Sequence, residues 1–242
     1  MANDISRMNE MRGITVSREY GSGGGEIARM LAERLGWKLL DVQIIQLVAQ
    51  KLGISRAVAQ SHDEQVEGFA QRLFEATQYF MPPVALSEVI GPSVNDLAYS
   101  HALGQVLRTA VDMGHVVIVG RASQVVLATD RSVMHVRIVA PLPQRIVYVM
   151  RREGLDAKAA GERIRLKEHR RHQSIKEQYG WDDNDAHLYD IIINTGILDL
   201  HAAVELVCLA LSKKARKLMA PADHLGPAWG LKPYPSPPNE IH

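Results

Sequence analysis

Hydrophobic and polar positions follow two different periods along this chain, and each change of period marks an element. Ile14 to Ser17 is a short β-branched run and predicts a strand. Gly21 to Gly25 then holds four glycines. Beyond it Ile27, Met30, Leu31 and Leu35 fall on one helical face, and Gly36 closes that helix as a C-cap residue would. Trp37 to Asp41 reads as a second strand ending in an acid. Helices are predicted over Val42 to Leu52 and Gln65 to Phe80, with breaks at Met81-Pro82-Pro83 and Gly91-Pro92. Leu97, Leu103, Val106, Leu107 and Val111 make a stripe along a helix from Val94 to Met113; His101 beside it is read as an ordinary core or surface histidine.

The second half repeats the alternation. His115 to Gly120 is a nearly continuous apolar run, the pattern of a strand buried on both faces. Val133 to Ala140 is a further strand, and Pro141 stands where proline favours a helix start. Helices over Leu142 to Glu153 and Asp156 to Gln178 are dense in base. Asp190 to Asn194 is a last strand, followed by the turn Thr195-Gly196 and a helix over Leu198 to Met219. Five strands alternating with helices predict a three-layer α/β/α fold around a parallel sheet with right-handed crossovers. Ligands bind such sheets at the carboxyl ends of the strands. Ser17 and Arg18, Asp41, Gly120 and Arg121, Ala140, and Asn194 and Thr195 lie there.

Composition narrows the class. With 46% hydrophobic and 23% charged residues in 242, the chain has the make-up of a globular protein able to bury one full core. A net charge of +1 gives no reason to expect nucleic acid or an anionic membrane as partner. The single Cys208 rules out an intrachain disulfide or a cysteine metal cluster and reads as a small core residue. No apolar run approaches a membrane span and no signal-peptide core is seen, so a cytoplasmic setting is expected. Residues 1–12 are polar and expected to be disordered. The main domain is drawn over 13–216. Residues 217–242, rich in proline and glycine, are read as a disordered or surface-draped tail.

Strand, glycine loop and helix together form a phosphate-binding unit, because the glycines let successive N–H groups converge and the helix N-terminus adds partial positive charge. Ser17, Gly21, Ser22, Gly23, Gly24, Gly25 and Glu26 are the candidate nucleotide-binding residues. The unit departs from the Walker A pattern: aligned on Gly23, its first glycine becomes Arg18, its lysine Gly24 and its hydroxyl residue Gly25. A dinucleotide fingerprint fits Gly21 and Gly23 but fails at Glu26, although Asp41 stands 18 residues after Gly23, near where a ribose-binding acid would be. A plain strand-to-helix turn that binds nothing is the third alternative.

These residues resemble the cytidylate kinase-like family. The resemblance rests on Ile14-Thr-Val-Ser-Arg-Glu-Tyr-Gly-Ser-Gly-Gly24 and the helix after it, on Val117-Ile-Val-Gly-Arg121, on Val136-Arg-Ile-Val-Ala-Pro141 and on Tyr189-Asp-Ile-Ile-Ile-Asn-Thr195, and it covers about residues 13 to 212. It implies a P-loop nucleoside-monophosphate-kinase-like fold, with an acceptor-side helical region over about 42–113 and a lid over about 156–182. The implied activity is transfer of the γ-phosphoryl of ATP to CMP or a similar monophosphate. Several family features are missing: the Walker lysine, an aspartate where Ala122 stands, an arginine where Gly25 stands, and two lid tyrosines replaced by Ser174 and Ile175.

Phosphoryl transfer needs alignment of the reactants and neutralisation of charge, so the cations matter most. Arg18, beside the loop, is the stand-in for the lysine, or else the partner of Glu19 or Asp41. Arg121 leaves a buried strand at the ligand edge, where a charge is costly unless it meets an anion. Arg163, Lys167, Arg170, Arg171 and Lys176 form the lid-like basic stretch, and Arg171 matches the family's lid arginine. The catalytic candidates are therefore Arg18, Arg121 and Arg171, and the acceptor candidates Asp41 and Arg121. Asp41 fits a metal, sugar or acceptor contact and equally a helix N-cap. Glu26 fits a role orienting Arg18 or a metal-bound water. ATP is the expected cofactor. Mg²⁺ follows from ATP chemistry alone, and no residue set defines its site. Small-molecule nucleotides are the expected partners, with oligomeric state open. A non-catalytic nucleotide sensor and a dinucleotide enzyme are the rival functions.

Overall fold

Alternation along the strands sorts their side chains between two helical layers. The computed structural model describes residues 8–41, 64–80, 96–227 and 229–230. In β1 (Gly13–Arg18) Ile14 and Val16 face one side, while Thr15 and Ser17 face the other, and all four are buried. The first face packs on α1 (Gly24–Leu35) and α7 (Leu200–Ala215), together with Val117, Val119, Met134, Val136 and Ile138. The second packs on α2 (Glu64–Phe80) and α3 (Asp96–Met113), through Leu73, Val106, Leu107, Val116 and Ile118. Each fully buried aliphatic side chain contributes about 1.5–3 kcal/mol, so the two layers hold the sheet from both faces.

The remaining elements are β2 (Lys38–Leu40), β3 (Val116–Val119), a short α4 (Ser123–Val126), β4 (Val133–Val139), α5 (Leu142–Glu153), α6 (Ala157–Tyr179) and β5 (Ile191–Asn194). All pairings are parallel and the order is β2-β3-β1-β4-β5. The predicted five-stranded α/β/α architecture is therefore present. The lid stretch is one helix of 23 residues, started by the Asp156 side chain accepting from Ala159 N–H at 2.8 Å and ended by Gly180 at φ 73°.

Two boundaries shift. The N-terminal segment joins the core before residue 13, since Met11 is fully buried and Met8 packs beside it. The chain after 216 is at first docked: Arg131 donates to the carbonyls of Lys217 and Ala220, and Trp229 stacks on His224. The helix predicted over Val42 to Leu52, the breaks at Met81-Pro82-Pro83 and Gly91-Pro92, and residues 231–242 lie outside the described residues.

Candidate functional site

The glycine loop is shaped by close approaches that only glycine allows. Gly21 and Gly23 adopt φ 86° and 79°, left-handed conformations that cost other residues about 1–2 kcal/mol. A Cβ at Gly23 would lie 2.7 Å from Leu200, and one at Gly24 2.6 Å from the Cβ of Arg18. The first N–H groups of a helix have no partner inside it. Among the described residues, no carbonyl or carboxylate takes the N–H groups of Gly24, Gly25 or Glu26. They border a cleft of about 460 Å³ that is also lined by Arg18, Tyr148, Arg152 and Arg171.

The two serines point elsewhere. The Ser22 hydroxyl is directed at the carbonyls of Glu19 and Ile138, at 2.9 and 3.1 Å, which closes the loop instead of facing an anion. Ser17 Oγ accepts from the Tyr189 hydroxyl at 3.2 Å on the opposite face. Glu26 leaves the amides unplugged, because it pairs with Arg152 at 3.0 Å and accepts from Tyr148.

Arg18, Arg121 and Arg171 converge at the carboxyl ends of β1 and β3. A second cleft, about 370 Å³, is lined by all three with Arg170, Leu103 and Ile175. Arg18 and Arg171 line this cleft and the glycine-loop cleft alike. The guanidinium of Arg18 lies against Gly120, where a Cβ would come within 2.0 Å of Nη1. Arg171 Nη1 donates to the Arg18 carbonyl. Burial, then the facing charges of Arg171 and Arg121, push Arg18 down to about 9. It stays cationic at neutral pH. Among the described residues no carboxylate lies within ion-pair distance of any of the three, although Asp183 and Glu168 act on Arg171 from farther away. The Nε of Arg121 is buried without a partner, and Arg121 and Ala122 both hold left-handed backbone, φ 59° and 53°. Strain of this kind, about 1–3 kcal/mol per residue, persists where the surroundings over-determine it.

The other candidates separate. Arg170 lines the triad's cleft. Arg163 is exposed and pairs with Glu153 at 3.3 Å. Lys167 and Lys176 are exposed on α6 and line none of the clefts around Arg18. Asp41 follows β2, and β3 stands between β2 and β1. The dinucleotide fold puts β2 beside β1. Asp41 therefore stands about 10 Å, two strand spacings, from β1, one spacing farther out than a ribose-binding acid belongs.

Sequence reasoning missed the residues that brace the site. Arg145, buried on α5, meets Glu168 of the lid helix at 2.5 Å, Glu19 at 3.4 Å and the carbonyl of Tyr20 at 3.3 Å. Glu168 also accepts from Tyr20 N–H, and the Tyr20 hydroxyl donates to Glu153 at 2.6 Å. Glu19 in turn accepts from Ala140 N–H at 2.9 Å. Thr195 donates from its hydroxyl to the Ser22 carbonyl at 2.8 Å, tying the loop to the end of β5. Arg137, buried in β4, donates to the Asp183 carbonyl, Tyr189 and Asn184. Arg137, Tyr189 and Thr195 stand in stretches that resemble the family, whereas the density of bases in α5 is the only signal for Arg145.

A polyphosphate fits this donor set of open amides and guanidiniums that no carboxylate pairs with among the described residues. Mg²⁺ held by protein oxygens does not fit the glycine loop. Near it Glu19, Glu26, Glu153 and Glu168 are all engaged by cations or N–H groups, and both serine hydroxyls are used. Among the described residues a cluster that could hold a cation is His172 with Asp182 and Asp183; His172 and Asp183 line a further cleft that contains none of the loop glycines. Asp183 there already meets His172 at 2.8 Å and Arg137 at 3.8 Å.

Fold and site define an α/β protein of P-loop type with a glycine loop beside an arginine-lined cleft. Residues 13–197 match the model of the cytidylate kinase-like family, and the chain belongs to that family. It is 26% identical to the cytidylate kinase of Archaeoglobus fulgidus over 206 residues, covering 85% of this chain and 97% of that one. A shorter match, 32% identical over 98 residues, is to a uronate isomerase of Corynebacterium glutamicum; it covers 40% of this chain and only 19% of that protein. Among solved structures, an uncharacterized protein from Eubacterium ventriosum superposes with a TM-score of 0.60 at 20% identity, over 83% of this chain and 98% of that one. It shares the fold. The chain is a kinase-like protein with a nucleotide-binding fold, and no helix among the described residues is long and apolar enough to cross a membrane.

Proposed function

We propose that this chain transfers the γ-phosphoryl of ATP to CMP or a similar (deoxy)nucleoside monophosphate. The observation that carries this reading is the position of Arg18 and Arg171, which line both the cleft of the glycine loop and the cleft of Arg121. A triphosphate on the loop amides and a monophosphate on Arg121 would meet between these two guanidiniums. An oxygen of the acceptor phosphate then attacks the γ-phosphorus, the bond to the β,γ-bridging oxygen breaks, and ADP leaves with that electron pair. The acceptor oxygen is already anionic, so no base is needed. Charge spreads over the transferring oxygens, and each preorganised donor aimed at it contributes about 10²–10³ in rate. Beside Gly21 and Gly23, a largely apolar cleft of about 280 Å³ with Tyr148, Leu198 and Leu200 suits a nucleobase.

Coupled measurement of ADP release with a panel of monophosphates tests the proposal. CMP or dCMP is expected to raise turnover well above the ATP-only rate. Arg121→Gln is expected to raise the KM for the acceptor at least about tenfold, a loss of about 1.4 kcal/mol. A second reading, a non-catalytic nucleotide sensor, is favoured by Gly24 at the lysine position and by the engaged hydroxyl of Ser22. It prevails if ATP binds and no acceptor stimulates turnover.

A further inference from the structure

The donor set near the loop is unusual for a protein that grips a triphosphate, because its anionic half is already taken. A Mg²⁺ ion bound with a triphosphate ordinarily keeps one or two protein oxygens, from a hydroxyl or a carboxylate, besides phosphate and water. Here the hydroxyl of Ser22 is turned into carbonyls of the loop and of β4. Glu26 is held by Arg152, and Glu19 and Glu168 are held by Arg145. The cationic half is in surplus. Arg18, Arg121 and Arg171 face one another around a single cleft with no carboxylate partner among the described residues, and Arg121 Nε is buried and unpartnered. A bound Mg²⁺ would add positive charge to a cleft whose carboxylates, Glu19, Glu26 and Glu153, are each already paired with an arginine, leaving Arg18 and Arg171 to repel it.

We infer that the chain binds ATP as the metal-free tetra-anion, with the guanidiniums of Arg18 and Arg171, which line the loop cleft, supplying the charge that Mg²⁺ and the Walker lysine supply in a standard P-loop. Arginine suits the substitution because its planar fork gives two parallel N–H bonds to phosphate oxygens and keeps its charge. The dianionic Mg·ATP complex offers these cations less to bind than free ATP does. The inference rests on the nucleotide site proposed above and goes beyond it, since that proposal is silent on which form of ATP is held.

Isothermal titration calorimetry of the full chain with ATP, once in EDTA and once in excess Mg²⁺, tests it directly. The expected result is binding in EDTA that equals or exceeds binding in Mg²⁺, with Arg171→Gln weakening the EDTA affinity about tenfold or more. A dissociation constant more than about threefold weaker in EDTA than in Mg²⁺ overturns the inference. So does an Arg171→Gln variant that binds free ATP as the wild type does. Absence of ATP binding in both buffers defeats the nucleotide site itself, and is thereby distinguishable from a failure confined to the metal.

Discussion

Arg145 and Arg137 on one hand, and Arg18 and Arg121 on the other, are arginines of the same sheet-and-lid assembly in opposite surroundings. Around Arg145 and Arg137 every charge is answered: Glu19, Glu168 and Asp183 lie within ion-pair distance, and carbonyls take further N–H groups. A few ångströms away, the triad at the strand ends has surplus positive charge and strained backbone. The comparison separates two uses of a buried cation. One holds the glycine loop against the lid helix, and the other leaves positive charge without a paired carboxylate among the described residues, which is where the proposed nucleotide would bind.

The first use is the easier to break. Arg145→Met leaves Glu19 and Glu168 without their cation and unties α6 from the loop; breaking a buried pair costs about 3–5 kcal/mol. Both carboxylates keep some solvent contact, at 26% and 31% exposure, so a loss near about 3 kcal/mol is expected. A drop in the urea midpoint with unchanged slope would show it. No change would mean that α6 is held by other contacts.

A third solution to burying a base sharpens the contrast. His135 in β4 sits against Thr15, 2.8 Å away, and is kept neutral: burial, then Lys214, lower it to about 4, with Asp190 and Asp130 pulling the other way. Below about pH 6.5 the unfolded chain takes up a proton on this residue that the folded chain refuses until about pH 4. Stability therefore falls as the pH drops through that window, by about 3 kcal/mol at most from this group, and levels off below it. Replacing His135 by Gln is expected to flatten that part of the stability profile relative to the wild type. Identical slopes for the two proteins in chemical denaturation from pH 7 to 4 would contradict the neutral histidine.

The smallest effect has the opposite sign. Arg18→Met removes a buried charge that no carboxylate pairs with among the described residues while keeping most of the apolar stem, and a gain of about 1 kcal/mol in the ligand-free protein is expected. In the wild type, ATP at a hundredfold excess over its dissociation constant adds about 2.7 kcal/mol. The variant should lose that response. Thermal melts with and without ATP read both numbers, and a variant that is less stable yet still responds to ATP would place Arg18 among the structural arginines.

What the sequence made legible follows from how far each signal reaches. Strand runs, the glycine cluster and Gly36 are local, and they placed β1, the loop and α1 within a residue or two. Arg18 and Arg121 were readable because a charge directly after an apolar strand must sit at the sheet's ligand edge. The braces were not, because Arg145 finds Glu19 and Tyr20 across more than a hundred positions, and no periodicity announces such a pairing. The same limit governs the serines. Their type fits a phosphate site, but the direction of Ser17 and Ser22 is set by Tyr189 on one side and by the carbonyls of Glu19 and Ile138 on the other.

The seat that Gly120 provides for the guanidinium of Arg18 joins two distant positions into one unit of variation. A side chain at 120 would evict the arginine, and a short residue at 18 would leave the seat empty. Homologues that replace one are therefore expected to replace the other, so that position 120 admits bulk only where 18 has given up its long cationic side chain. An alignment of relatives can register that joint exchange without any assay, and it would sort those built to hold an anion in this manner from those that have abandoned it.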